Sequence, residues 1–358
     1  MTTTAFATRM VTQVAQACSG RIIRAKAPLR LSFAGGGTDL PHYYEEHGGA
    51  VLSSTINHYA YVTLFPRQDK DIRIRSLDLG QLVHYDLDRA PAYDGVLDLA
   101  KAAIQRISVK HGIDMDIRLE APAGSGLGGS SALTAAVLGA LSATNGHALG
   151  SYELAEMNYV IERQDLRIAG GKQDQYATTF GGFNLIEFHP TRVMVTPLRI
   201  DPAVLNDLEA HLLLCYTGQV RPRMGLIDQQ VRYYKEGRKE TLDGMRRIHE
   251  MVHDMKDALL TGQLHVFGEL LHEGYLNKKR MNPAVSEGTR TDVLYDAALQ
   301  NGAVGGKLCG AGGGGYLLLY CETGRQHEVI RALENLGGKF SNFSFEGMGL
   351  QVWRSDSK

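Results

Sequence analysis

The stretch Pro122 to Ala132 reads Pro-Ala-Gly-Ser-Gly-Leu-Gly-Gly-Ser-Ser-Ala, and its residue types suit one kind of chemistry above others. Upstream, Ile113-Asp114-Met115-Asp116-Ile117-Arg118-Leu119 alternates apolar with polar residues, the period of a half-buried strand. Downstream, Ala132 to Asn145 is rich in Ala and Leu, contains no Pro and one Gly, and predicts a helix. A glycine loop that runs from a strand into a helix N-terminus gathers unpaired backbone N–H groups and the positive end of the helix dipole at one point. Such a point attracts phosphate. The expectation is a nucleotide-handling protein.

The rest of the chain must supply the elements that hold this loop. Arg21 to Phe33 is strand-like and ends in the turn Gly35-Gly36-Gly37-Thr38-Asp39. Leu40 to His47 suits a short helix closed by Gly48-Gly49, with extended segments from Ala50 to Pro66. Ile72, Ile74, Val83 and Tyr85 mark further strands. Val96 to Lys110 reads as an amphipathic helix, and a second helix should follow the loop unit from Ser151 to Leu166. Beyond Phe180-Gly181-Gly182-Phe183, strands are expected at Asn184 to Phe188, Arg192 to Leu198 and Ala210 to Tyr216. Helices should fill Gly225 to Asn277, with breaks near Gly237 and Gly262. A helix from Arg290 to Asn301 then leads into the run Gly310 to Gly315, a strand Tyr316 to Cys321, and one more helix and strand. Strands in clusters rather than in strict alternation with helices favour an α+β fold. Two packed halves divided near residue 190 are expected: an arm at 1–20, a first unit at 21–190 and a second at 191–358.

Composition narrows the partners. The 358 residues include 38 Lys and Arg against 39 Asp and Glu, a net charge of −1, so neither nucleic acid nor an anionic membrane is expected. Hydrophobic content of 44% and charged content of 22% are ordinary for a soluble protein, and no run is long and apolar enough to span a membrane. Cys18, Cys215, Cys309 and Cys321 lie far apart with no CxxC pair, which argues against a disulfide framework or zinc site. Met1 to Gly20 lacks the basic start and apolar run of a signal peptide, so the cytoplasm is the expected compartment.

One glycine loop alone is a weak signal. Gly124-Ser125-Gly126-Leu127-Gly128-Gly129 satisfies GxGxxG, but a dinucleotide fold needs a strand after the helix. Leu154, Met157, Val160 and Ile161 fall at helical spacing there instead. Gly306-Lys307 fails as a Walker loop, with Asn301 in place of the first glycine and Leu308 in place of the magnesium-binding Ser or Thr.

Three motifs in order are more specific. Ala27-Pro28-Leu29-Arg30 with Gly35-Gly36-Gly37-Thr38-Asp39 comes first, then Pro122 to Ala132, then Lys307-Leu308-Cys309-Gly310-Ala311-Gly312-Gly313-Gly314-Gly315. The set resembles the three signature motifs of the GHMP small-molecule kinases, over nearly the whole chain from Arg21 to the C-terminal strand. That resemblance implies a ribosomal-S5-like N-terminal half packed on a ferredoxin-like C-terminal half. It also implies ATP, Mg2+ and phosphoryl transfer to a small acceptor.

The resemblance assigns roles residue by residue. Gly124, Ser125, Gly126, Leu127, Gly128, Gly129, Ser130 and Ser131 would cradle the triphosphate of ATP. Ser130 would approach the metal with Glu162; Gly129 stands where relatives often carry Ser or Thr, so Ser131 stays open as the alternative. Asp174, in a glycine turn entering a short helix, matches the aspartate that faces the acceptor hydroxyl, as general base or as orienting group. Arg30 matches an arginine beside it that would offset charge on the transferring phosphoryl group. Asp39, with Gly37 and Thr38, aligns with the sugar-binding turn, and Gly310, Gly312, Gly313 and Gly314 would support the site by close backbone approach.

Ala34 to Pro41 and Ile168 to Phe183 look most like the D-glycero-D-manno-heptose 7-phosphate kinases, with L-fucokinase-type enzymes nearest to those. This resemblance implies phosphorylation of the anomeric C1 hydroxyl, giving a 1,7-bisphosphate for nucleotide-activated heptose and surface polysaccharide. A fucokinase- or galactokinase-like acceptor stays open, as does a sugar sensor without turnover, and so does a homodimer. A phosphorylated acceptor needs cations for its remote phosphate; Lys172, Arg221, Arg223, Lys278, Lys279 and Arg280 are the candidates.

Overall fold

A computed structural model describes residues 22–144, 149–220, 225–286 and 289–355. The expected arm at 1–20 lies outside the described residues, as do Cys18, Arg221 and Arg223. The chain begins with β1 (Ile22–Ala34), α1 (Pro41–His47), β2 (Gly49–Pro66), β3 (Asp71–Ser76) and β4 (Gln81–Asp86). It continues through α2 (Asp98–Ile107), β5 (Ile113–Leu119), α3 (Gly129–Thr144), α4 (Ser151–Val160) and α5 (Gln173–Phe180). Then come β6 (Asn184–Phe188), β7 (Val193–Pro197), α6 (Pro202–His211), β8 (Leu212–Val220), α7 (Leu226–Lys235), α8 (Lys239–Leu260), α9 (Leu264–Met281) and α10 (Arg290–Gln300). The last elements are β9 (Ala303–Leu308), β10 (Gly314–Cys321), α11 (Gln326–Asn335), β11 (Lys339–Ser341), β12 (Phe345–Glu346) and β13 (Gln351–Ser355).

Two sheets organise these elements. Among the described residues the larger has nine strands, with β13-β1-β2-β5-β3-β4 as its main path and β6, β7 and β12 attached through β2. The long β2 makes this branching work: Ala60 to Pro66 pair with β5, while Gly49 to Ser53 pair with β6. The smaller sheet runs β11-β8-β10-β9. Its strand β10 is buried on both faces. Tyr316, Leu318 and Tyr320 join the large core, and Leu317, Leu319 and Cys321 face a second cluster with Leu294 and Leu333. Burial on both faces explains an unbroken apolar run where a half-buried strand would alternate.

The division expected at residue 190 falls within the β6–β7 hairpin, where Phe188 pairs with Val193. At the other end β13 returns to cover the edge of β1, pairing Ser355 with Ile22 and Gln351 with Lys26. The N-terminal sheet is therefore completed by Gln351–Ser355, far along the chain from its strands β1–β7. Helix α6, strand β9 and two of the three closing strands β11–β13 are additions to the elements that the residue pattern predicts. Asp201 caps α6 by accepting from Ala203 N at 2.8 Å, ahead of Pro202, which are ordinary helix-start signals. Interior glycines disguise β9, but a Cβ on Gly305 would stand 2.2 Å from the Gly268 carbonyl oxygen, so α9 can pack on this strand only without one.

Candidate active site

The loop Gly124–Ser131 joins β5 to α3 as the alternating and Ala-rich patterns imply, and both halves of the molecule tie it down. The N–H of Arg30 donates to Leu127 O at 2.9 Å, and the N–H of Tyr316 on β10 donates to Ser125 O at 3.0 Å. The Arg30 side chain donates to Gly126 O at 2.6 Å. Ser130, exposed in the first turn of α3, lines a cavity of about 930 Å³ that runs between the two sheets. That volume suits a small-molecule site.

Three charged residues meet in this cavity, Arg30 and Asp39 from the first motif and Asp174 from a distant part of the sequence. Arg30, on β1, gives Nε to Asp174 Oδ1 at 2.8 Å, and its Nη2 lies 2.6 Å from the same oxygen. Asp174 stands in the first turn of α5, while the Arg30 side chain is only 3% exposed. Asp39 follows β1 in the glycine turn, and its carboxylate is held from three directions. Oδ1 accepts from Gly37 N at 3.0 Å, and Oδ2 accepts from Gln173 N and Nε2, both at 3.2 Å. Burial pushes the Asp39 carboxyl above the ordinary range, with the nearby Asp174 adding to the rise. Gly171 lies against Asp39 so closely that a Cβ there would meet Oδ2 at 2.0 Å.

Glu162 sits where α4 gives way to a π turn at Ile161–Asp165, a distortion that recurs at functional sites. Its side chain is fully buried, and burial raises its carboxyl above the usual value. The Ser131 hydroxyl donates to Oε1 at 2.6 Å. Arg163 Nη1 lies 3.0 Å from Oε2, yet that oxygen accepts no well-formed hydrogen bond. An under-satisfied carboxylate oxygen beside a serine hydroxyl is a donor set that fits a hard divalent cation. Among the described residues no group of three or more His, Cys, Asp or Glu gathers at one point, so most ligands of such an ion would come from phosphate and water. The two serines part company here: Ser131 is buried against Glu162, and Ser130 faces the cavity.

The remaining candidates separate into those that reach the cavity and those that do not. Gly37, Gly310 and Lys278 line it, and Lys278 Nζ also donates to the Gly310 carbonyl. Lys172 is turned toward Glu156, at 3.0 and 3.1 Å, and lies over the Tyr159 ring. Lys279 pairs with Asp292 at 2.9 Å, and Arg280 donates to Asn277 Oδ1 at 3.3 Å. Thr38 is wholly buried; its hydroxyl lies 2.8 Å from Gly35 O and accepts from Ala50 N at 3.1 Å, so it pins the turn rather than facing the cavity. Gly312 and Gly313 rest on Val285, where Gly313 N donates to Val285 O at 2.9 Å, and Gly314 opens β10. Arg163, Gln173 and Lys307 also line the cavity, although the motifs assign them no role. Lys307 has a signal in the sequence, since it is the first residue of the third motif.

Comparisons with known proteins agree with this architecture. The family model for the GHMP kinases N terminal domain matches residues 95–182, and the model for the GHMP kinases C terminal domain matches residues 255–339. A D-glycero-alpha-D-manno-heptose 7-phosphate kinase of Campylobacter jejuni is 36% identical over 340 residues, covering 93% of this chain and 99% of the relative. The crystal structure of a D-glycero-D-manno-heptose 1-phosphate kinase from Bacteriodes thetaiotaomicron superposes with a TM-score of 0.78 at 34% identity, covering 92% of this chain and 98% of that one. Lactococcus lactis galactokinase complexed with galactose shares the fold alone, with a TM-score of 0.77 at 19% identity over 97% of this chain and 99% of that one. With both family models matched and a full-length relative above one-third identity, the chain belongs to the GHMP kinases.

Proposed function

We propose that this protein transfers the γ-phosphoryl group of ATP to the anomeric C1 hydroxyl of D-glycero-D-manno-heptose 7-phosphate, giving the 1,7-bisphosphate. The observation that carries the reading is the Arg30–Asp174 pair standing in one cavity with the anchored carboxylate of Asp39. The 36% identity to a kinase named for that heptose phosphate supports the acceptor.

Each group has a task in the transfer. Asp39 accepts hydrogen bonds from neighbouring sugar hydroxyls, and its backbone anchors keep the carboxylate fixed while it does so. Asp174 accepts the hydrogen bond of the reacting hydroxyl, which orients the oxygen and receives its proton as the new O–P bond forms and the bond to ADP breaks. Arg30 holds Asp174 in place and offers its remaining N–H groups to the phosphoryl oxygens. The backbone N–H groups at the start of α3 receive the phosphate chain. Glu162 with Ser131 or Ser130 would hold magnesium, which neutralises charge on the β- and γ-phosphates when bound. Lys278, the member of the basic tract that lines the cavity, would meet the remote phosphate.

Coupled ADP release with a panel of sugars and sugar phosphates tests the reading. Turnover should be highest with the heptose 7-phosphate. Preference for fucose or galactose would overturn the acceptor assignment, and ATP binding without turnover of any acceptor would overturn the kinase reading in favour of a sugar sensor.

A further inference from the structure

The third glycine motif places one more cation in the cavity. Lys307 extends from β9 of the smaller sheet, and its Nζ donates to the carbonyl oxygen of Phe33, near the end of β1, at 3.2 Å. Its charged neighbours are Arg30 of β1 and Asp39 of the turn that follows, with Cys309 just past its own strand as the other ionisable group. Arg30 belongs to the transfer pair and Asp39 to the acceptor side, so the ammonium stands between the two halves of the reaction. It makes no salt bridge among the described residues. Phe33 takes one of its three N–H donors.

A half-buried ammonium that makes no salt bridge among the described residues is unfavourable, and this one shows it. Burial, with repulsion from Arg30 adding to it, pulls Lys307 down to about 8. Arrival of a phosphate chain would reverse the balance, because an opposite charge favours the protonated form.

We propose, on the kinase reading above, that Lys307 is a further catalytic residue whose ammonium donates hydrogen bonds to the phosphoryl group in transfer. Arg30 has already committed Nε and Nη2 to Asp174 and Nη1 to Gly126, which leaves charge on the transferring group for a second cation to meet. Only the protonated lysine can do this. The free enzyme should therefore lose kcat/KM as pH rises through about 8, whereas kcat, measured with phosphate bound, should fall only at higher pH.

The test compares Lys307→Met and Lys307→Arg with the wild type. Loss of one such donor should lower kcat of Lys307→Met by about 100-fold or more while the KM for ATP changes little. Lys307→Arg should recover much of the activity and move the alkaline limb of kcat/KM upward, because a guanidinium stays charged. A second measurement needs no acceptor: calorimetric titration of ADP with and without beryllium fluoride, a phosphoryl mimic. Fluoride should tighten ADP on the wild type and on Lys307→Arg, but not on Lys307→Met. Retained kcat and an unchanged alkaline limb in Lys307→Met, with only a lower melting temperature, would overturn the proposal and leave the residue as a tie to Phe33. If the wild type prefers another sugar, the same comparison on that sugar decides the matter. If it turns over none, the fluoride titration decides it alone.

Discussion

A single methyl group at Gly171 tests whether Asp39 anchors the acceptor. In Gly171→Ala the new Cβ would meet Asp39 Oδ2 at 2.0 Å, whereas ordinary contact begins at 3.4 Å, so the carboxylate must retreat. The hydrogen bonds from Gln173 N and Nε2 to that oxygen are already long at 3.2 Å and would not survive the move. A displaced carboxylate no longer meets the two sugar hydroxyls it should hold. Two hydrogen bonds to a charged group at about 1.5 kcal/mol each amount to about 3 kcal/mol, or about 100-fold in kcat/KM for the acceptor. The KM for ATP should stay near the wild-type value, because the phosphate loop lies on another element. Coupled ADP release with each substrate varied in turn measures both. In an Asp39→Ala background the same substitution should add almost nothing, since the two changes remove one interaction. An acceptor kcat/KM within about threefold of wild type would refute the reasoning, because a clash of this size leaves Asp39 no way to keep its position.

Three further outcomes follow from the geometry. Asp174→Asn should lower kcat by about 10³-fold while ATP binding, measured by calorimetry, is preserved; retained turnover would remove Asp174 from the chemistry. Lys278→Ala should raise the KM for a sugar phosphate more than that for ATP, whereas Lys279→Ala should mainly lower the melting temperature through the lost Asp292 pair. Equal kinetic effects of the two would argue against Lys278 as the phosphate contact. Burial holds Glu162 above its ordinary 4.5, so the folded state keeps a proton that the unfolded state releases. Its contribution to stability is greatest below that value and falls as pH rises toward the raised one. Denaturant unfolding should accordingly show Glu162→Gln gaining on the wild type as pH rises above 4.5. A pH-independent difference would contradict the raised carboxyl.

Features set by local pattern are legible in the residues themselves. The alternation over Ile113–Leu119 and the Ala-rich run after Ser131 declare a strand and a helix, because side-chain period and helix propensity act over neighbouring residues. The resemblance to the GHMP kinases that the ordered glycine motifs carry likewise points to Arg30, Asp39, Glu162 and Asp174. Local pattern fails where burial comes from elsewhere. Strand β9 carries Gly305, which the approach of α9 requires, and Gly306, which the approach of β10 requires, and β13 reaches the larger sheet because the edge of β1 lies open to it.

The same limit applies to the site. Arg30 and Asp174 meet across 144 residues, a contact no spacing rule expresses. Residue type alone does not tell Lys278, on the cavity wall, from Lys279, paired with Asp292, or from Lys172, paired with Glu156. Nor does it tell Ser130, facing the cavity, from Ser131, buried against Glu162. The sequence by itself determined which chemical groups were on hand and which loops could approach phosphate. Tertiary structure decided which of those groups share one cavity and which are spent on neighbours, because hydrogen bonding and burial depend on contacts between distant parts of the chain.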